Sequence, residues 1–144
     1  MVVNSRHTLP DTIKQNIVKF ARSCMNMLGE PDRFLEFAYV GDEAIGFYYC
    51  KIDHENHKGF IKPGYGYIME FYIKPECRCK GYGRIMFERI RLNLSKHGVK
   101  RMWLTAGSFS IPFWKSMGFK PTAEICPDND MVVFIKFVGN SLTH

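Results

Sequence analysis

Residues 76–84 read "ECRCKGYGR", in which Cys77, Cys79, Gly81 and Gly83 are interleaved with the cations Arg78, Lys80 and Arg84. Three chemistries use such residue types: a metal knuckle, a nucleotide loop, or a seat for another anion. The metal option needs more ligands than the sequence offers. Cys77 and Cys79 form a single Cys-x-Cys pair with no second pair at zinc-site spacing. His54 and His57, in "HENH", fall one residue short of the metalloprotease helix motif and lie in a loop. No metal is expected. A mononucleotide P-loop ends in Gly-Lys-Ser/Thr, which is absent. A dinucleotide fingerprint needs a third glycine or alanine where Met86 stands.

The flanking elements decide what remains. "YIMEFYIK", 67–74, reads as a strand stopped by Pro75. A helix begins near Tyr82: Tyr82, Met86, Ile90 and Leu94 recur every four residues, Ile85 and Leu92 widen that face, and Arg84, Glu88 and Arg91 take the solvated side. The loop therefore joins a strand end to a helix start. Glycines let a ligand approach the backbone closely, the first helical turn offers unbonded N–H groups and a partial positive charge, and the three cations add formal charge. Such a loop suits a phosphate or pyrophosphate.

Elsewhere the pattern predicts a helix over residues 8–28, capped by Thr8 or Asp11 and ended by Gly29 and Pro31. A β-hairpin follows, turning at Gly41 and Asp42. Beyond the central helix, which ends at Gly98, come a strand in "VKRMWLTA", a short helix in "SIPFWKSM", the turn "CPDND" and a strand in "MVVFIKF". This order predicts an α/β or α+β domain with a mixed sheet, a single domain over residues 1–144.

"RCKGYG", 78–83, resembles the Arg/Gln-x-x-Gly-x-Gly/Ala signature of the GNAT superfamily of acyl-CoA-dependent N-acetyltransferases. "IMEFYIKPECR" is similar to that family's fourth strand and the approach to its loop, and "SIPFWKSMGF" to a later motif ending in Gly-Phe. The resemblance runs from about residue 36 to 137. It implies a mostly antiparallel sheet flanked by helices, splayed between the fourth and fifth strands where acetyl-CoA enters. The pyrophosphate would rest on the backbone of Arg78, Cys79, Lys80, Gly81, Tyr82 and Gly83, with Arg84 nearby. The pantetheine arm would pair with the backbone of Phe71 and Ile73, and Phe113 and Trp114 would lie in the later cofactor motif.

Acyl transfer to an amine requires loss of a proton from an ammonium of pKa about 10.4. The resemblance places Glu70, an acid within an apolar and aromatic strand, as the general base. The Phe71 or Ile73 N–H would polarise the thioester oxygen. Trp114 stands where the family often has the tyrosine that protonates the leaving thiolate, and an indole is no useful acid. The proton must then come from Tyr72, Tyr82, Ser116 or water, or the thiolate leaves unassisted, or the chain is a non-catalytic acyl-CoA-binding sensor. "GSFS" replaces the asparagine the family carries upstream. The amine acceptor is expected near residues 22–34 and the loop 54–66, where Lys58 and Lys62 mix with Phe60 and Tyr65. A full first strand, usual in the family, has little room before the predicted helix. Dimerisation is common in the family.

The totals are consistent with this. A chain of 144 residues, 46% hydrophobic, can bury one core. Five irregularly spaced cysteines read as reduced thiols, and no signal or membrane-spanning run appears, so a cytoplasmic protein is expected. The net charge of +6 favours anionic partners, but the loop cations cluster at one place and no nucleic-acid motif occurs, so neither nucleic acid nor membrane is an expected partner.

Overall fold

The computed structural model describes residues 18–22 and 32–139. Strands β1 (Val18–Arg22), β2 (Arg33–Val40), β3 (Glu43–Ile52) and β4 (Gly66–Ile73) are followed by helix α1 (Tyr82–Lys96), β5 (Arg101–Thr105), helix α2 (Ile111–Ser116), β6 (Lys120–Cys126) and β7 (Met131–Phe137). The strands form one sheet in the order β1-β2-β3-β4-β5-β7-β6. Its β4–β5 pairing is parallel, whereas β1–β2, β5–β7 and β6–β7 are antiparallel. Among the described residues no helix is long and apolar enough to cross a membrane.

The chain divides into two compact units. The first comprises residues up to Cys50 together with Met69–Ile90. Its β2–β3 hairpin turns at Gly41 and Asp42 as the sequence predicts, with Gly41 at φ +61°. Glu36 of β2, almost fully buried, accepts from Nε and Nη2 of Arg89 at 2.8 and 2.7 Å and from the Tyr48 hydroxyl. Arg89 also lies over the Phe20 ring of β1. One planar cation thus ties α1 to two strands, a geometry a lysine cannot reproduce.

The second unit comprises Lys51–Ile68 and the chain from Arg91. Its centre is Trp103 with Cys126 and Val133, on which Phe60, Tyr65, Tyr67 and Ile135 pack. Tyr67 stacks on the Trp103 indole at 3.9 Å and Phe60 meets it edge-on at 5.3 Å. Gly66 is required here by close packing, since a Cβ would lie 2.6 Å from the Leu94 side chain.

Three expectations are corrected. Residues 18–22, predicted as helix, form β1, with Val18 opposite Val40 and Arg22 opposite Glu36. Val18 and Phe20 are half-buried and Lys19 and Ala21 exposed. This alternation fits a strand, and β2 supplies the hydrogen-bond partners that override the longer spacing. The remainder of that predicted helix lies outside the described residues. The strand β6 was not foreseen. It is an edge strand, mostly exposed, with Pro121 near its start, and so lacks a buried alternating pattern. On α1 the buried stripe takes in Phe87 and Arg91 and leaves Leu92 41% exposed. Arg91, expected in solvent, is 2% exposed and donates to the Gly139 carbonyl at 2.8 Å.

Candidate active site

Strand β4 presents the candidate base and the candidate cofactor edge. The Lys74 N–H donates to the Ile45 carbonyl of β3 at 2.8 Å, and a Cβ on Gly46 would meet the Tyr72 carbonyl oxygen at 2.2 Å. Backbone groups of a strand alternate sides. Tyr72 and Lys74 therefore face β3, and Phe71 and Ile73 turn their N–H and C=O the other way. The parallel register with β5 consists of Gly66 opposite Met102 and Tyr67 opposite Trp103, and β4 runs on to Ile73. The side chains alternate too. Glu70 and Tyr72 share an exposed face, on which the Tyr72 ring lies 6.0 Å from Phe47, itself 5.7 Å from Phe37. Phe71 is half-buried and Ile73 buried on the opposite face.

The loop leaves β4 through a tight 3-10 turn, Pro75–Cys77, in which Cys77 N–H bonds the Lys74 carbonyl and Arg78 N–H the Pro75 carbonyl. The Lys74 ammonium bonds Glu43 at 2.9 Å and lies 3.7 Å from Glu76. Its pKa is raised, first by the hydrogen bond to Glu43. Cys79 then adopts φ +61° and Gly81 φ +94°. The first hydrogen bond of α1 runs from Ile85 N–H to Gly81 C=O at 3.3 Å, which leaves the amides of residues 81–84 without an intrahelical acceptor. Cys79 and Lys80 are exposed, Gly81, Gly83 and Arg84 half-buried. Tyr82 is buried, which pushes its phenol above the ordinary range, with Cys77 adding to the effect.

One residue of the expected cradle is oriented differently from the expectation. The Arg78 amide is spent on Pro75, and the Arg78 side chain turns back along β4: Nε donates to the Ile73 carbonyl at 2.7 Å, and the guanidinium sits 5.5 Å from the Tyr72 ring centre. The Arg78 amide is thus not available to an anion.

In the second unit, α2 carries the later motif. Trp114 is 5% exposed and packs edge-on against Phe113 at 4.9 Å and Phe119 at 5.4 Å. Gly118, at φ +99°, makes the turn that brings Phe119 N–H back to the Trp114 carbonyl at 3.0 Å. Trp114 is a core residue of this unit, and Phe113 is half-buried beside it. The Ser116 hydroxyl donates to the Phe113 carbonyl at 2.8 Å, so its proton is already used.

Asp53 carries no signal in the sequence. It is fully buried, and its Oδ2 accepts the Trp103 indole N–H at 2.8 Å and the Lys62 amide at 2.9 Å. Its Oδ1 faces the Lys51 ammonium at 3.3 Å, close enough for an ion pair but not aligned as a hydrogen bond. Lys51 also bonds His57 Nδ1 at 3.0 Å, which lies 3.3 Å from the His54 amide as well. The "HENH" nitrogen is therefore occupied by protein donors. The aromatic residues of loop 54–66, expected beside an acceptor, are used in part to pack on Trp103.

A family model of the acetyltransferase (GNAT) family matches residues 5–119. Among curated proteins no sequence match is found. Solved structures with the same fold include the PaiA N-acetyltransferase of Thermoplasma acidophilum in complex with coenzyme A, at 21% identity and a TM-score of 0.60 over 74% of this chain and 61% of that one. An acetyltransferase of Thermus thermophilus is 17% identical, with a TM-score of 0.62 over 78% of this chain and 68% of that one. A GNAT acetyltransferase of Elizabethkingia anophelis with acetyl-CoA bound is 13% identical, with a TM-score of 0.61 over 83% and 97%. The chain spans about three-fifths of the length of the PaiA enzyme. With the family model covering most of the sequence and the loop, strand edge and Gly-Phe turn in place, the chain belongs to the acetyltransferase (GNAT) family.

Proposed function

We propose that this chain, acting as one domain over residues 1–144, transfers an acetyl group from acetyl-CoA to a primary amine of a small molecule or peptide in the cytoplasm. The observation that carries the reading is the loop after β4, where Gly81 at φ +94° opens a helix whose first amides have no intrahelical acceptor. Those amides, with Lys80 and Arg84 beside them, are suited to the pyrophosphate of CoA. The outward backbone of Phe71 and the Ile73 N–H are suited to the pantetheine arm, as an added strand pairs with a sheet edge, the Ile73 carbonyl already accepting from Arg78. Family members solved with CoA and with acetyl-CoA support the same choice of donor.

Acetyl-CoA supplies an activated acyl group on a thiolate leaving group. Glu70, exposed on β4, takes the proton from the acceptor ammonium, directly or through one water, so that a neutral amine attacks. The Phe71 or Ile73 N–H stabilises the charge that develops on the thioester oxygen. As the carbon–nitrogen bond forms and the carbon–sulfur bond breaks, the nitrogen gives up its remaining extra proton and the thiolate gains one, passed through Tyr72, Tyr82 or water. The Tyr82 phenol is protonated at neutral pH, as any tyrosine is, and burial raises its pKa further.

A second reading, an acyl-CoA-binding module without turnover, is favoured by one observation: Trp114, at the position of the usual acid, is packed in the core. Free thiol release from acetyl-CoA against polyamines, aminoglycosides, amino acids and short peptides separates the two. Release with one acceptor class supports the enzyme. Saturable acetyl-CoA binding with no release across the panel supports the binding module.

A further inference from the structure

Within the acetyl-CoA reading, we propose that Arg78 is a positioning residue that acts through the Ile73 carbonyl and the Tyr72 ring, and not as a cation neutralising phosphate. Its backbone is extended, at φ −79° and ψ 162°, and its amide is bonded to Pro75. Its Nε donates to the Ile73 carbonyl at 2.7 Å, and its guanidinium lies on the Tyr72 ring at 5.5 Å. That carbonyl is on the side of β4 turned away from β3. One side chain therefore bridges the strand end to the start of the loop across the 3-10 turn, and fixes where Cys79 and the following amides stand relative to the edge of β4. The guanidinium of this exposed side chain lies against the Tyr72 ring, while Lys80 and Arg84 flank the cradle glycines in sequence.

The two roles make opposite demands on a replacement. Counting bonds from the backbone, the Nε of arginine and the amide nitrogen of glutamine occupy the same position, three carbons out from Cα. Lysine has a methylene there and its charge one atom further. Glutamine can thus reproduce the bond to Ile73 without charge, and lysine keeps the charge without that bond.

The test compares Arg78→Gln and Arg78→Lys with the unaltered chain, measuring the Kd for CoA by calorimetry at low and high salt. The rate at which a thiol reagent labels Cys79 is measured without CoA. Positioning predicts that Arg78→Lys weakens binding the more, by about tenfold for one lost charge-assisted hydrogen bond. It also predicts faster Cys79 labelling in Arg78→Lys than in Arg78→Gln, and a salt dependence in Arg78→Gln parallel to that of the unaltered chain. If Arg78→Gln loses as much affinity as Arg78→Lys or more, with a flattened salt dependence, Arg78 acts by charge and the proposal is wrong. If the unaltered chain binds no CoA, the acetyl-CoA reading itself fails. Equal Cys79 labelling in the two variants would then overturn the bridging role independently, and thermal melts of both variants identify any failure to fold.

Discussion

Replacing Asp53 with asparagine keeps the shape of a fully buried side chain and removes its charge. The carboxylate now accepts from the Trp103 indole at 2.8 Å and from the Lys62 amide at 2.9 Å, and faces the Lys51 ammonium at 3.3 Å. A hydrogen bond to a charged acceptor contributes about 1.5–3 kcal/mol and a neutral one about 0.5–1.5, so the two retained bonds weaken by about 1 kcal/mol each. Lys51, with only 8% of its side chain exposed, is left as a buried ammonium with its counter-ion gone. Breaking a buried pair by removing one partner typically costs about 3–5 kcal/mol, a figure that includes the weakened bonds, so the expected loss for Asp53→Asn is about 3–5 kcal/mol. Urea unfolding followed by tryptophan fluorescence measures it. Adding Lys51→Met should recover part of the loss, because the orphaned charge is removed with it. A cost below about 1 kcal/mol for Asp53→Asn, or a double variant as unstable as the two single losses added, would refute the reasoning.

Glu70→Gln should lower amine-dependent thiol release by about 10²–10⁴-fold, the usual range for a general base, with the Kd for acetyl-CoA little altered. Equal loss in both would make Glu70 a binding group. Gly81→Val places a β-branched residue at φ +94° and should cost at least about 1–2 kcal/mol of stability and abolish CoA binding, read by melting and calorimetry. Unchanged affinity would remove the loop from the cofactor site. Of the described thiols, exposed Cys79 should label first and buried Cys50 and Cys126 last, and CoA should slow the labelling of Cys79. Burial, with the Glu36 charge adding to it, raises the Cys50 pKa in the folded chain. The contribution of this thiol to stability is therefore complete below its unfolded pKa of about 8.5 and declines above it, by up to about 1.4 kcal/mol per pH unit. Urea midpoints between pH 7.5 and 10.5 should show this decline, and Cys50→Ala should shallow it.

Features that depend on neighbouring residues in the chain were legible in the sequence. The hairpin at Gly41, the end of β4 before Pro75, the helix starting at Tyr82 and the turn at Gly118 each follow from a proline, a glycine at positive φ or a local periodicity. The glycine spacing after β4 marked the candidate anion seat for the same reason, because helix starts and left-handed glycines are local geometry. Features that depend on distant partners were not legible. Residues 18–22 fit a helix or a strand by pattern, and the edge offered by β2 made them β1. Strand β6 exists because β7 pairs with it, not because its own side chains alternate. Arg91 is buried because a carbonyl 48 positions away receives it, and Asp53 because the Trp103 indole, 50 positions away, needs an acceptor. The direction of Arg78 is local and still was not legible: its charge and spacing suggested a phosphate ligand, and the 3-10 turn after β4 brings it back onto Ile73, five positions earlier, and Tyr72. Sequence thus determined where the backbone bends and marked a candidate anion seat. Tertiary structure decided which polar groups are desolvated together, since burial and partner geometry are properties of the packed chain.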